Sequence, residues 1–287
     1  MATTKRAATK DAAAKGTGTA ITKWEEELAK QADVASAMEA NAGGGQFFSL
    51  KSGILSWQDA PLPGNQMAVI IVDGILENVF YEGEYDPDTP QGPTCFAFGR
   101  EEKTIAPHQL VVEAGNAQHD QCHGCPMNEW GTADKGKGKA CRNSRRLAMI
   151  PAGNFDQAGK FQLFEDEDHF ASTPIAFMKL PVTSVKGYAG FVKQVAGALR
   201  RPPHGIITKV KVVPDPKSQF KVLFEPIMNV PDEYMSIVMQ RHEEGKSTID
   251  FPYQPFDAEQ APAPKAKSRA AQRPPVKGKP AVKGRKY

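Results

Sequence analysis

The strongest run of apolar positions in the chain lies at residues 67–72, where Met-Ala-Val-Ile-Ile-Val is short, β-branched and unbroken, and it predicts a strand. Asp73-Gly74 follows as a predicted turn, with 75–81 returning as the second arm of a hairpin. Further strands are expected at 46–50 and 94–98, and at 206–213 and 220–224 on either side of a Pro214-Asp215-Pro216 turn, while 145–150 and 175–180 are read as regular structure of unspecified type. Helical spacing places Trp24, Leu28, Ala32, Ala35 and Met38 on one face of a helix over 21–40, which Asn41 and Gly43-Gly44-Gly45 terminate. A second helix, capped by Thr183 or Ser184 and running to about Leu199, buries Tyr188, Phe191, Val192 and Val195, and a last one covers 232–244. This order predicts an α+β, β-rich body, best accommodated by an OB-like antiparallel barrel with peripheral helices.

Residues 99–143 break the pattern, because they carry Gly, His, Asn, Lys and three of the four cysteines with almost no apolar periodicity. A stretch that long needs some constraint other than a core, and a bound metal supplies one. The terminal segments differ again. Residues 1–20 read as a flexible basic arm and residues 258–287, rich in Pro, Ala, Lys and Arg, as a basic tail unable to form a core, so that the folded body is expected over 21–257.

Charge sharpens that division. The chain totals +3, yet the tail holds six Lys and three Arg against Glu259 alone (+8) and the arm holds +3, so the body between them is acidic at −8. Basic tails of this kind meet polyanions. No apolar run is long enough to cross a bilayer and none resembles a secretory leader, so the protein is expected in the cytoplasm. Cysteines in that reducing compartment are read as metal ligands before disulfides.

The cysteine spacing is Cys95, then Cys122-His-Gly-Cys125, then Cys141. Two cysteines three apart face one ion when the chain between them turns tightly, which Gly124 permits, and Cys141 with Cys95 completes a tetrahedral four-cysteine knuckle of the structural zinc type. His108, His119 and His123 are substitutes should Cys95 be a buried strand residue, and the same thiolates are able to hold an iron–sulfur cluster. The competing reading is four unrelated thiols.

Within the metal-binding loop expected over 93–146, the cations Lys135, Lys137, Lys139, Arg142, Arg145 and Arg146 face a single acid, Asp134, between Gly131 and Arg146. Alternating Gly-Lys lets the backbone lie close to phosphates while ammonium groups project, giving salt-dependent and weakly sequence-specific affinity for nucleic acid. Trp130 is the base-stacking candidate, joined by Phe96 and Phe98 if Cys95 shares the ion; packing over the knuckle and into the core is the competing role for these rings. The acidic run 165–168 reads as solvated surface.

Catalysis finds no support. The nearest approach to a P-loop, Gly131 through Gly136-Lys137, has Gly138 in place of the hydroxyl residue, and neither Gly-x-Ser-x-Gly nor His-Glu-x-x-His occurs. A zinc deaminase needs His-x-Glu ahead of Pro-Cys-x-x-Cys, whereas here Pro126 follows Cys125. The protein is expected to be a binder and not an enzyme.

Cys122-x-x-Cys125-Pro126, Trp130-Gly131, Gly136-Lys137-Gly138-Lys139-Ala140-Cys141, Arg145-Arg146-Leu147 and the stretch from Leu180 to Lys186 resemble a group of phage and mobile-element proteins over residues 93–226. The resemblance implies single-stranded DNA binding. A looser similarity, to the zinc-containing single-stranded DNA-binding proteins of T-even phages, implies an OB fold with a zinc knuckle. Those proteins use a histidine ligand and replication binders usually end in an acidic tail, so recruitment of replication or recombination partners through this basic C-terminus is put in doubt. RNA as the ligand, and a zinc-stabilised protein-interaction module without nucleic-acid binding, are the alternatives.

Overall fold

A computed structural model describes residues 28, 31, 47–57, 60–83, 92–134, 136–156 and 158–253. Leu28 and Gln31 are helical; the rest of the helix expected over 21–40, the arm at 1–20 and the tail at 258–287 lie outside the described residues. The body runs to Glu82 and resumes over Pro93–Pro252, and of the second unit, 83–92 with 253–287, only Gly83, Gly92 and Tyr253 are described.

Two long strands organise the body, β4 (Gln66–Phe80) and β6 (Arg142–Phe155), paired antiparallel along most of their length. At one end they are flanked by β9 (Ile206–Asp215) and β10 (Gln219–Asn229) beside β4, and by β7 (Phe161–Leu163) beside β6. Towards the other end β5 (Cys95–Gly99) pairs with β4 and β8 (Ala176–Leu180) with β6. Three short strands, β1 (Phe48–Ser49), β2 (Ser56–Trp57) and β3 (Ala60–Pro61), form a separate small sheet. The helices are α1 (Gln109–Glu113), α2 (Glu167–Ser172), α3 (Val182–Gln194) and α4 (Asp232–Thr248), with a π-helical turn, Val195–Leu199, continuing α3.

The uninterrupted apolar run at 67–72 is explained by burial on both faces, since a strand covered on one side only would alternate. Met67, Val69 and Ile71 pack with Leu147 and Met149 under Tyr188, Phe191 and Val195, from α3 and its π turn. Ala68, Ile70 and Val72 pack with Ala148 and Ile150 against Phe170 of α2 and Tyr234 and Val238 of α4. The result is a mixed α/β body with an antiparallel sheet at its centre and helices on both faces. Among the described residues the strand path is open, with β10 and β7 as its ends, so no closed barrel of the OB type forms.

The hairpin expected at Asp73-Gly74 is replaced by one continuous strand containing a β-bulge. Ile71 pairs with Met149 and Asp73 with Ala148, leaving Val72 as the extra residue. Local turn chemistry lost to the pairing with β6, and the extra residue shifts the side-chain phase, so that Ile75 joins Val72 on the α4 face. Gly74 consequently faces α3, where an added Cβ would stand 3.0 Å from Leu147 and 3.1 Å from the Tyr188 hydroxyl. The cap expected from Thr183 or Ser184 is also absent: Pro181 occupies the N-cap, and Ser184 Oγ instead accepts the Val222 N–H of β10 at 2.9 Å. Among the described residues no helix is long and apolar enough to cross a membrane.

Candidate metal centre and basic loop

The four cysteines come from distant points of the chain and line one cavity, which encloses about 330 Å³ including its open mouth. Cys95 opens β5, Cys141 immediately precedes β6, and Cys122 and Cys125 flank a turn in which Gly124 adopts φ +80°. That left-handed conformation is available to glycine without the steric penalty other residues carry. The turn is held by the segments on either side of it. Cys122 N–H donates to Ile105 O at 3.0 Å, Cys141 N–H donates to Met127 O at 2.7 Å, and the Asn128 amide donates to Cys122 O at 2.8 Å.

Cys122, Cys125 and Cys141 are buried and Cys95 is partly exposed. Burial, followed by the charges of the other three cysteines, pushes the Cys141 thiol up to about 12, and burial likewise raises Cys95 and Cys122. Two donors oppose this. The Gln118 backbone N–H points at the Cys95 sulfur and the Asn78 side chain at the Cys122 sulfur, the partners that stabilise a thiolate when a metal displaces its proton. His119 also lines the cavity, whereas His108 caps α1 by accepting the Leu110 N–H at 3.2 Å and stacks on Phe96. Four thiols without a carboxylate are a donor set that structural zinc sites and iron–sulfur clusters have in common. As the side chains stand, no three His, Cys, Asp or Glu groups among the described residues are close enough to share an ion.

The loop between Cys125 and Cys141 is tied back on itself. Gly131 and Ala133 N–H groups both donate to Gly138 O, at 2.8 and 3.2 Å, and Thr132 Oγ1 donates to Glu129 O at 2.7 Å while accepting the Ala140 N–H at 3.0 Å. Trp130 stands out at 78% exposure, with the Lys139 ammonium 5.7 Å from its ring centre. Lys139 also donates to Asn128 Oδ1 at 3.2 Å, Lys137 is exposed, and Lys135 lies outside the described residues.

Strand alternation divides the arginines. Arg145, directly opposite Leu76, lies on the knuckle side of the sheet, while Arg142, opposite Val79, and Arg146, opposite Ile75, lie on the other. Arg142 is exposed beside the Tyr81 ring. Arg146 is withdrawn from any interface: it is 2% exposed, sandwiched between the rings of Phe98 and Phe251, and donates to Glu77 Oε1 and to the carbonyls of Ile249 and Phe251. Phe98 is thereby engaged, and Phe96 is buried against His108, so neither phenylalanine is offered to a base. Sequence reasoning overlooked Asn78 and Gln118, which nothing in their local context marks. It also overlooked a signal that was visible, the absence of any acid between Asp168 and Asp215. No protein-family model, curated protein or solved structure matches the chain.

Proposed function

We propose that the protein binds single-stranded nucleic acid, DNA by preference, as phage and mobile-element binders do, using a loop whose shape is fixed at its root by structural zinc. The observation that carries this reading is the convergence of Cys95, Cys122, Cys125 and Cys141 on one cavity beneath a loop that displays Trp130 and Lys137 to solvent. An exposed indole beside an ammonium group is suited to stacking on a base while a phosphate is neutralised, and neither interaction reads sequence strongly. Arg145 adds a cation on the same side of the sheet, whereas Arg142 is exposed on the opposite face. The reading does not require the OB-type barrel expected from the element order, because an open sheet carrying the loop on one face serves as well.

Oligonucleotide binding measured over a salt series tests the proposal, together with metal analysis of the protein and its Cys122→Ser variant. Stoichiometric zinc, lost in the variant, is expected, with affinity falling by a log–log slope of about −0.7 for each phosphate neutralised. A flat salt response, or no binding at low salt, overturns it.

A further inference from the structure

Between Asp168 and Asp215 the chain carries seven cations and no acid, inside a body whose overall charge is negative. Three of the seven, Lys186, Lys193 and Arg200, are exposed: Lys186 and Lys193, seven residues apart on α3, return nearly to the same side of the helix, and Arg200 stands at its end, just past the π turn. Among the described residues no carboxylate pairs with any of them, whereas Lys179, Lys209 and Lys221 each have one, Glu77, Glu225 and Asp215 respectively. Between Lys186 and Lys193 the exposed residues are Gly187, Ala189 and Gly190, all small; beyond Lys193 the small Ala196, Gly197 and Ala198 are exposed together with the larger Gln194 and Leu199. A polymer backbone is therefore able to lie close to the helix between its first two cations.

The end of this helix is built unusually. Val195–Leu199 is a π turn, a rare form that concentrates at functional sites. Arg200 then occupies the left-handed C-cap at φ +50°, where glycine would be at ease. A cation is held at the one position where the backbone favours a residue without a side chain.

The helix and the basic loop also share a face. Gly74 of β4 lies beneath Tyr188 of α3, and further along the same strand Leu76 packs with Ile105 and Cys122 while Asn78 meets the Cys122 sulfur. Arg145, opposite Leu76, lies on this same face of the sheet, between the Cys122 side and the Tyr188 side.

We infer that the row Lys186, Lys193 and Arg200 on α3 is a phosphate-binding track that continues the loop's interface along the same face, so that one single strand of nucleic acid spans Trp130, Arg145 and the helix. The inference extends the proposed function and rests on it. Lys186 and Lys193 stand about 10 Å apart along the helix axis and Arg200 lies beyond the π turn, so only a strand of several nucleotides engages them all.

The test compares Lys186→Gln/Lys193→Gln/Arg200→Gln with a loop variant, Trp130→Ala/Lys137→Gln, on oligonucleotides of about 6 and about 20 nucleotides over a salt series. For the helix variant and the longer strand, the slope should fall by about 2 and the affinity at low salt by about tenfold or more, with a much smaller change for the short strand. Arg200→Gly alone should weaken long-strand binding while leaving the melting temperature unchanged or raised, which separates phosphate contact from folding. An unchanged slope in the helix variant beside a weakened loop variant overturns the track and leaves the loop reading standing. Loss confined to the helix variant upholds the track and overturns the loop. Absence of wild-type binding overturns both.

Discussion

Removing the carboxylate of Glu77 should destabilise the protein far more than its single side chain suggests. Glu77 is fully buried on β4 and Arg146 is 2% exposed on β6. The guanidinium donates to Glu77 Oε1 through Nε at 3.2 Å and Nη2 at 2.6 Å, and through Nη1 to Ile249 O at 3.1 Å and Phe251 O at 2.7 Å. Ser144 Oγ is also 3.2 Å from Glu77 Oε2, and the more distant, partly exposed Lys179 approaches that oxygen at 3.9 Å. In Glu77→Leu the guanidinium stays between the Phe98 and Phe251 rings without its counter-charge, a situation that costs about 3–5 kcal/mol. Arg146→Met leaves the carboxylate without its closest cation, with Lys179 3.9 Å away, and should cost a similar amount. Glu77→Leu/Arg146→Met removes both charges and fills much of their space with apolar atoms, so its cost should fall at least about 2 kcal/mol short of the sum of the single variants. Urea denaturation of the four proteins gives the cycle, with constant m-values establishing that stability alone has changed. Additivity to within about 0.5 kcal/mol would refute the argument, since it would mean that the two groups do not depend on each other.

Two further outcomes follow from the packing. His204 stacks on His242 at 4.2 Å between ring centres, and burial, then the neighbouring histidine, lowers its pKa from 6.5. The folded state thus favours the neutral ring, so stability should be complete above pH 6.5 and decline as the pH falls below it; a denaturation series should show that His204→Phe flattens this limb, and an unaltered limb would exclude His204 as its source. Gly153 on β6 has no room for a methyl group, which would lie 2.2 Å from the backbone oxygen of Gln162. Gly153→Ala should cost about 1–3 kcal/mol and release β7 first, seen as faster hydrogen exchange over residues 161–163; uniform loss of protection across the sheet would contradict this.

The parts of the fold legible in the sequence were those fixed by local pattern. The strands at 206–215 and 219–229 and the helices beginning at 182 and 232 lie close to where apolar spacing predicts them. Asp73-Gly74 misled because a turn dipeptide and a bulge draw on the same residues, and only the partner strand decides between them. The run at 67–72 already signalled burial on two faces, which argues against a barrel, yet the helices that provide the second cover are distant in sequence. For the site, spacing was enough to group the four cysteines but said nothing of Asn78, which arrives from β4. The basic cluster read as one patch along the sequence was split by the pleat: Arg146 followed the alternation inward to Glu77, while Arg145 turned the other way.

The unpaired Val72 has a consequence for how this chain tolerates change. The residues from Asp73 to Val79 already have their own partners on β6, so deleting Val72 would close the bulge and still leave Glu77 opposite Ser144 and Asn78 opposite Asn143. The supernumerary residue is thus a splice in the ribbon at which one position is removable without disturbing the thiols or the buried guanidinium. A deletion among the regularly paired residues beyond it, such as Ile75 or Leu76, instead puts the later side chains on the wrong face and should be ruinous.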